Sequence, residues 1–298
     1  MSIRQITIVG TGLIGGSFGL AVKATGFRGR IVGCDSKQSL AKAKRKRAID
    51  HGNRDPIEAC KGSDLVLLAT PVGGIIELIA KIALHLGPNT LITDVGSTKS
   101  EILRAAEKSF GEDTPRRFLA GHPMAGKENS GIEFADADLF RGAVWFFTPS
   151  RKQGLKTGKA AELLALVKKI GARIAVLDAN DHDQLCAWIS HVPQMLSTAL
   201  ASTLVEEYGE DAPLLESGGR ALREMTRIAS SPYSMWRDIA LTNKQSIADA
   251  LLKLEQKLAH IRENLDTREL EREFEQGRKL RNPARKNKKQ NKPKVHPG

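Results

Sequence analysis

Gly10, Gly12 and Gly15 stand in the frame Gly-x-Gly-x-x-Gly, directly after a β-branched apolar run at residues 5–9. In that frame the first glycine allows a tight turn, the second lets the backbone approach a pyrophosphate, and the third lets helix and strand pack closely. A helix opening at Leu13 and Ile14 then offers its N–H groups and positive dipole end to phosphates. Asp35 lies 20 residues beyond Gly15, at the end of the next apolar run. A carboxylate there accepts both hydroxyls of a ribose and repels a 2′-phosphate, so NAD is expected over NADP. The basic run KAKRKR at 42–47 is read as the solvated face of a helix rather than a 2′-phosphate site.

In an open α/β sheet the ligand sits beyond the carboxyl ends of the strands. That singles out the strand-ending loops at 70–72, 94–97 and 122–126. Thr70, Pro71 and Val72 are expected to pass the cofactor with backbone and apolar contacts. His122, in a Gly-His-Pro frame, is a candidate proton acceptor, because an imidazole titrates near neutral pH. Oxidising an alcohol needs a hydride acceptor on one side and a base for the hydroxyl proton on the other. Ser97 could bond the same hydroxyl, cap the next helix, or do both.

The elements that must hold these groups follow from periodicity. Apolar runs at 5–9, 30–34, 64–69, 90–93, 117–120, 144–147 and 173–177 alternate with helical patterns at 13–24, 36–47, 75–86, 99–108 and 158–170. Near-continuous apolar strands imply burial on both faces, and the alternation predicts an α/β fold with a doubly wound parallel sheet over residues 1–178. Beyond 178 only helices are expected: one long helix over 181–207 kinked at Pro193, then 213–228, 233–241 and 243–274. Residues 179–276 thus read as an all-α substrate and dimerisation domain. The stripe Ile247, Leu251, Leu254, Leu258, Ile261, Leu265 needs a partner surface, which points to a homodimer.

The net charge of +12 is concentrated at one end. Nine basic residues and no acid lie between 277 and 298, leaving +3 for the body. That segment, with three prolines, reads as a disordered tail. No aromatic residues interleave its charges, which argues for a solubilising role and against nucleic-acid binding. The 41% hydrophobic content excludes wholesale disorder, and no apolar run approaches a membrane span. The N-terminus has no signal-peptide pattern. Cys34, Cys60 and Cys186 are odd in number and widely spaced, so a reducing cytoplasm is expected and no metal site.

Six segments, GTGLIGGS (10–17), ATPV (69–72), DVGSTK (94–99), GHPMAG (121–126), SHVP (190–193) and TRIASSPYSMWRD (226–238), resemble in this order the prephenate/arogenate dehydrogenase family of tyrosine biosynthesis. The resemblance implies NAD-dependent oxidative decarboxylation. The substrate carbinol loses hydride to NAD, and the ring then loses CO2 and becomes aromatic. It implies that His122 accepts the hydroxyl proton with Ser97 beside it, and that Arg227 pairs a substrate carboxylate through its planar fork. It further implies His191 in the substrate cleft, Trp236 in the cleft or at a subunit interface, and Lys99 and Lys127 as positive charges near a dianion. Gln194 stands where many members have a second histidine, Glu224 replaces a usual Asp, and Pro232 is shifted by one place. Prephenate and arogenate therefore both stay open as substrates. The regulatory domain and fused mutase of some relatives are not expected.

Two other readings compete. A β-hydroxyacid dehydrogenase would want a lysine on the first long helix of the second domain, and residues 181–207 hold none. A non-catalytic dinucleotide sensor with a nucleic-acid-binding tail predicts steeply salt-dependent DNA binding.

Overall fold

The computed structural model describes residues 3–127, 129–151, 155, 158–210 and 213–281. The chain begins β1 (Gln5–Val9), α1 (Leu13–Ala24), β2 (Arg30–Cys34), α2 (Lys37–Arg45), β3 (His51–Asn53), α3 (Pro56–Cys60), β4 (Leu65–Leu68) and α4 (Val72–Ile82). It continues with β5 (Leu91–Asp94), α5 (Ser100–Phe110), α6 (Thr114–Arg117), β6 (Phe118–Pro123), β7 (Val144–Thr148), α7 (Gly158–Lys169) and β8 (Arg173–Val176). The strands form one sheet in the order β3-β2-β1-β4-β5-β6-β7-β8. Alternation along each strand sends Ile6, Ile8, Leu65 and Leu67 to one core and Val9, Val66 and Leu68 to the other. Burial on both faces is why these strands read as unbroken apolar runs.

Two features depart from the expected parallel sheet. β3 is three exposed residues with no apolar signature, and it pairs with β2 at the sheet edge. β7 runs antiparallel to β6. Among the described residues between them there is only a short 3-10 turn at Ile132–Phe134 and no crossover helix, and a return without a crossover reverses the strand.

The helical part follows as α8 (Ala179–Cys186), α9 (Val192–Tyr208), α10 (Leu214–Ser217), α11 (Gly219–Thr226), α12 (Tyr233–Thr242), α13 (Lys244–Glu263) and α14 (Arg268–Arg281). The long helix expected over 181–207 is α8 and α9 joined by a π turn, Ala187–His191. Pro193 has no N–H to return to the residue four before it, and the wider turn absorbs that loss. The pattern at 213–228 divides into α10, α11 and a 3-10 turn, Arg227–Ser230. The helix expected over 243–274 breaks between α13 and α14.

By compactness the chain divides into Met1–Ile247 and Ala248–Gly298, later than the change of periodicity at 178. Within the second unit Lys257 and Glu273 pair α13 with α14 at 2.8 Å. Residues 277–281, read from composition as the start of a disordered tail, are the last turn of α14. The rest of the tail lies outside the described residues. No helix among the described residues is long and apolar enough to cross a membrane.

Candidate active site

The site starts at the turn between β1 and α1. Gly10 adopts φ +94°, and a Cβ there would lie 2.5 Å from the carbonyl oxygen of Ala69. Only glycine tolerates both conditions. A Cβ on Gly15 would meet the Gly10 carbonyl oxygen at 2.0 Å, so this glycine lets α1 close on β1. Around Gly12, at the N-cap of α1, a Cβ would touch nothing within 4 Å. The backbone is therefore open at the helix N-terminus, where an anion is favoured. Leu13 and Ile14 supply the first turn, and Ile14 packs on the core.

Asp35 follows β2 with its carboxylate turned to this loop. Its Oδ2 accepts from Thr11 N at 2.7 Å and from Thr11 Oγ1 at 3.1 Å. Lys42 pairs with Glu133, and Lys46 Nζ donates to the carbonyl oxygens of Glu133 at 2.5 Å and Ala135 at 3.2 Å. Two cations of the basic run thus tie α2 to the loop after β6. They are neither merely solvated nor available to a 2′-phosphate. Thr70 and Pro71 lie in the loop after β4, Pro71 is the N-cap of α4, and Val72 is buried in the core.

At the ends of β5 and β6 two buried polar networks meet. Asp94 and Lys99, both fully buried, form an ion pair. Asp94 also accepts from Gly96 N at 2.7 Å and Gly121 N at 3.0 Å, and Lys99 Nζ donates to the Gly121 carbonyl oxygen at 2.7 Å. Lys99, expected to lend charge to a substrate, is instead saturated inside the protein: a buried ammonium needs its partners close. Lys127 is exposed and pairs with Asp136 at 3.0 Å.

His122 follows Gly121 and is 7% exposed. Its Nδ1 lies 2.9 Å from Nε2 of His182, whose Nδ1 lies 2.9 Å from Asp183 Oδ1. Asp183 also accepts from Lys99 N at 2.7 Å and Ser100 N at 2.9 Å, so α8 caps α5. Burial alone would raise its pKa, but the bonds from His182, Ser100 and Lys99 outweigh burial and keep it below the ordinary carboxylate range. Burial, reinforced by His182 and Lys99, holds His122 well below 6.5, so its ring is neutral. Cys186 Sγ stands 3.4 Å from His182 Nε2, and burial pushes this thiol up to about 12. The ligand atoms of His122, His182 and Cys186 lie within 4.8 Å of one another. Sequence reasoning missed His182, Asp183 and Cys186; an adjacent His-Asp with a Cys one turn later was the available signal.

Ser97 is half-buried; no hydrogen bond joins it to His122 among the described residues, and it does not cap α5, which begins three residues later. Asn243 Nδ2 donates to the Asp183 carbonyl oxygen at 2.7 Å and reaches His191 Nδ1 at 3.2 Å. His191 is fully buried in the π turn, and burial takes its pKa to about 4. Its ring meets that of Trp236 edge to face, with centroids 5.9 Å apart. Among the described residues, His191 Nε2 and Trp236 Nε1 are both buried without a hydrogen-bond partner. Each buried N–H without a partner is suited to an acceptor group from a ligand. Gln194 Nε2 donates to the Ile228 carbonyl oxygen at 2.9 Å, linking α9 to the turn that carries Arg227. Arg227 itself is exposed. Glu224 pairs with Arg220, and Asp238 with Arg237 and with Gly73 N at the start of α4.

The family model described as the nucleotide-binding domain of prephenate dehydrogenase matches residues 18–176, and that of the dimerization domain matches 178–278. The chain belongs to the prephenate dehydrogenase family. It is 34% identical over 289 residues to prephenate dehydrogenase of Lactococcus lactis, covering 94% of this chain and 77% of the relative. The structure is similar to that of prephenate dehydrogenase from A. aeolicus in complex with hydroxyphenyl propionate and NAD+. That match has a TM-score of 0.84 and 31% identity over 95% of this chain and 98% of that one. It is also similar to Synechocystis arogenate dehydrogenase, with a TM-score of 0.76 and 27% identity over 94% and 99%. As a family member the chain is a dehydrogenase with a nucleotide-binding and a dimerization domain. In the second of these, Trp188, Ile189, Leu196, Val205 and Tyr233 are exposed on the single chain, as a dimerization surface requires.

Proposed function

We propose that this chain is an NAD-dependent prephenate dehydrogenase, acting as a homodimer in the cytoplasm. The observation that carries the reading is His122: Nδ1 is engaged by His182, while Nε2 has no partner among the described residues at the open end of β6. The Gly10–Gly15 turn and the start of α1 would hold the pyrophosphate, Asp35 the ribose hydroxyls, and the Thr70–Val72 loop the side of the cofactor. Bound NAD supplies the hydride acceptor.

The chain's own residues then have to orient one cyclic diacid and take one proton. His122 Nε2 accepts the proton of the ring hydroxyl as the carbinol carbon loses hydride, and Ser97 bonds the same oxygen. Loss of the ring carboxylate as CO2 makes the ring aromatic and leaves its electron pair on the ring oxygen as a phenolate, which takes the proton back from His122 to give 4-hydroxyphenylpyruvate. Arg227 pairs with a substrate carboxylate, and the Nε2 of His191 and Nε1 of Trp236 serve its oxygen acceptors. Gln194 borders the side-chain end of the substrate. Lys127, exposed and paired with Asp136, adds positive charge near the dianionic substrate. Three buried free thiols, Cys34, Cys60 and Cys186, suit the reducing cytoplasm.

The test is NADH formation by the full chain with prephenate and with arogenate, each with NAD and with NADP. Efficient turnover is expected with prephenate and NAD. Turnover confined to arogenate would move the assignment to arogenate dehydrogenase. No turnover with either would overturn the reading.

A further inference from the structure

We propose that His182 and Asp183 act together as a positioning pair that fixes His122 in its Nδ1–H tautomer. This rests on the reading of His122 as the base. The buried chain of contacts, Asp183 Oδ1 to His182 Nδ1 at 2.9 Å and His182 Nε2 to His122 Nδ1 at 2.9 Å, has one consistent arrangement of protons. Asp183 is an acceptor only, because its carboxylate already receives N–H groups from Lys99 and Ser100. His182 must therefore carry its proton on Nδ1. A neutral His182 then has a lone pair on Nε2, and His122 must donate to it from Nδ1. Cys186, held as a thiol by burial, lies 3.4 Å from the same Nε2 and points the same way: a second weak donor converges on one acceptor. What is left on His122 is a bare Nε2 with no partner among the described residues. A base needs that lone pair facing its substrate.

The opposite tautomer would place a proton on Nε2 of His122 and leave nothing to accept one. It would also set the lone pair of His182 Nδ1 against a carboxylate. When Nε2 takes the substrate proton, His122 becomes an imidazolium. Its Nδ1 proton can pass to His182 Nε2, which leaves the positive charge beside Asp183. No atom is gained or lost beyond the one proton delivered by the substrate. The arrangement is the logic by which a buried carboxylate sets the tautomer of a catalytic histidine, extended through a second ring.

The test uses the full-length enzyme with 15N-labelled histidine. Seven histidines in the chain keep the imidazole spectrum assignable by single substitutions. In the substrate-free enzyme at neutral pH, His122 and His182 are both expected protonated at Nδ1. His182→Ala is expected to lower kcat by about 100-fold with little change in KM, and His182→Gln, whose amide oxygen accepts from Nδ1–H, to recover about tenfold of that. Asp183→Asn is expected to move the His122 proton to Nε2 in the spectrum, a readout independent of turnover. A wild-type spectrum with His122 protonated at Nε2 overturns the proposal, as does a His182→Ala enzyme within twofold of wild-type kcat while His122→Asn is inactive. Full turnover by His122→Asn would instead remove the base assignment itself.

Discussion

Asp94–Lys99 and His122–His182–Asp183 are neighbours at the end of β6, both buried, both built from a carboxylate and a basic group, and joined at the backbone of Lys99 and Gly121. They differ in one respect. Among the described residues every polar atom of the first side-chain pair is answered by the protein, with Asp94 receiving two backbone N–H groups and Lys99 a carbonyl. The second chain ends on His122 Nε2, which has no partner among the described residues. A saturated buried ion pair holds strands β5 and β6 in place. An unsaturated buried chain has an atom to offer a ligand. On the proposed function, two clusters of similar composition divide the work of a single corner, one giving it shape and the other chemistry.

That contrast breaks most visibly at Lys99. Lys99→Met leaves the Asp94 carboxylate buried and unpaired, and is expected to lower the unfolding free energy by about 3–5 kcal/mol, read by urea denaturation. A loss below 1 kcal/mol, with a kinetic defect instead, would return Lys99 to the substrate. The buried histidines add a pH dependence of their own. His191 is held at about 4, below its ordinary 6.5, by burial, and His122 and His182 are lowered as well. In the window from about 6.5 down to about 4 the unfolded chain binds more protons than the folded one. Stability is therefore full above 6.5 and lost as pH falls through that window. His191→Gln should flatten part of the slope of melting temperature against pH.

Smaller effects sharpen the outline of the nucleotide loop. Asp35→Ala is expected to weaken NAD binding about tenfold and narrow the NAD-to-NADP ratio, measured by titration of both cofactors. Asp238→Asn weakens the cap that α12 places on Gly73 at the start of α4, and should cost about 1 kcal/mol of stability. An unchanged cofactor ratio would detach Asp35 from the ribose.

The same two regions explain what could be read without coordinates. The glycine turn is local: Gly10, Gly12, Gly15 and Asp35 lie within one βαβ unit, so spacing alone carries the geometry. The strands of the parallel core were legible because burial on both faces leaves apolar runs. The corner at His122 was only half legible. Its histidine stands in a recognisable frame, yet its partners come from 60 residues further on, across β7 and β8. Lys99 looked available because a sequence shows a charge after a strand end but not the carboxylate beneath it. β3 has no side-chain pattern to read, since all three residues are exposed and only backbone pairing defines it. The direction of β7 was hidden because strand residues report burial and not polarity of the chain.

The most direct test of the account is the turnover of His122→Asn with prephenate and NAD, beside its affinity for NAD and its melting temperature. The expected result is a fall in kcat of about 100-fold or more, with NAD affinity and melting temperature close to wild type. Wild-type turnover in this variant would contradict it, and would mean that the proton leaves the substrate by another route.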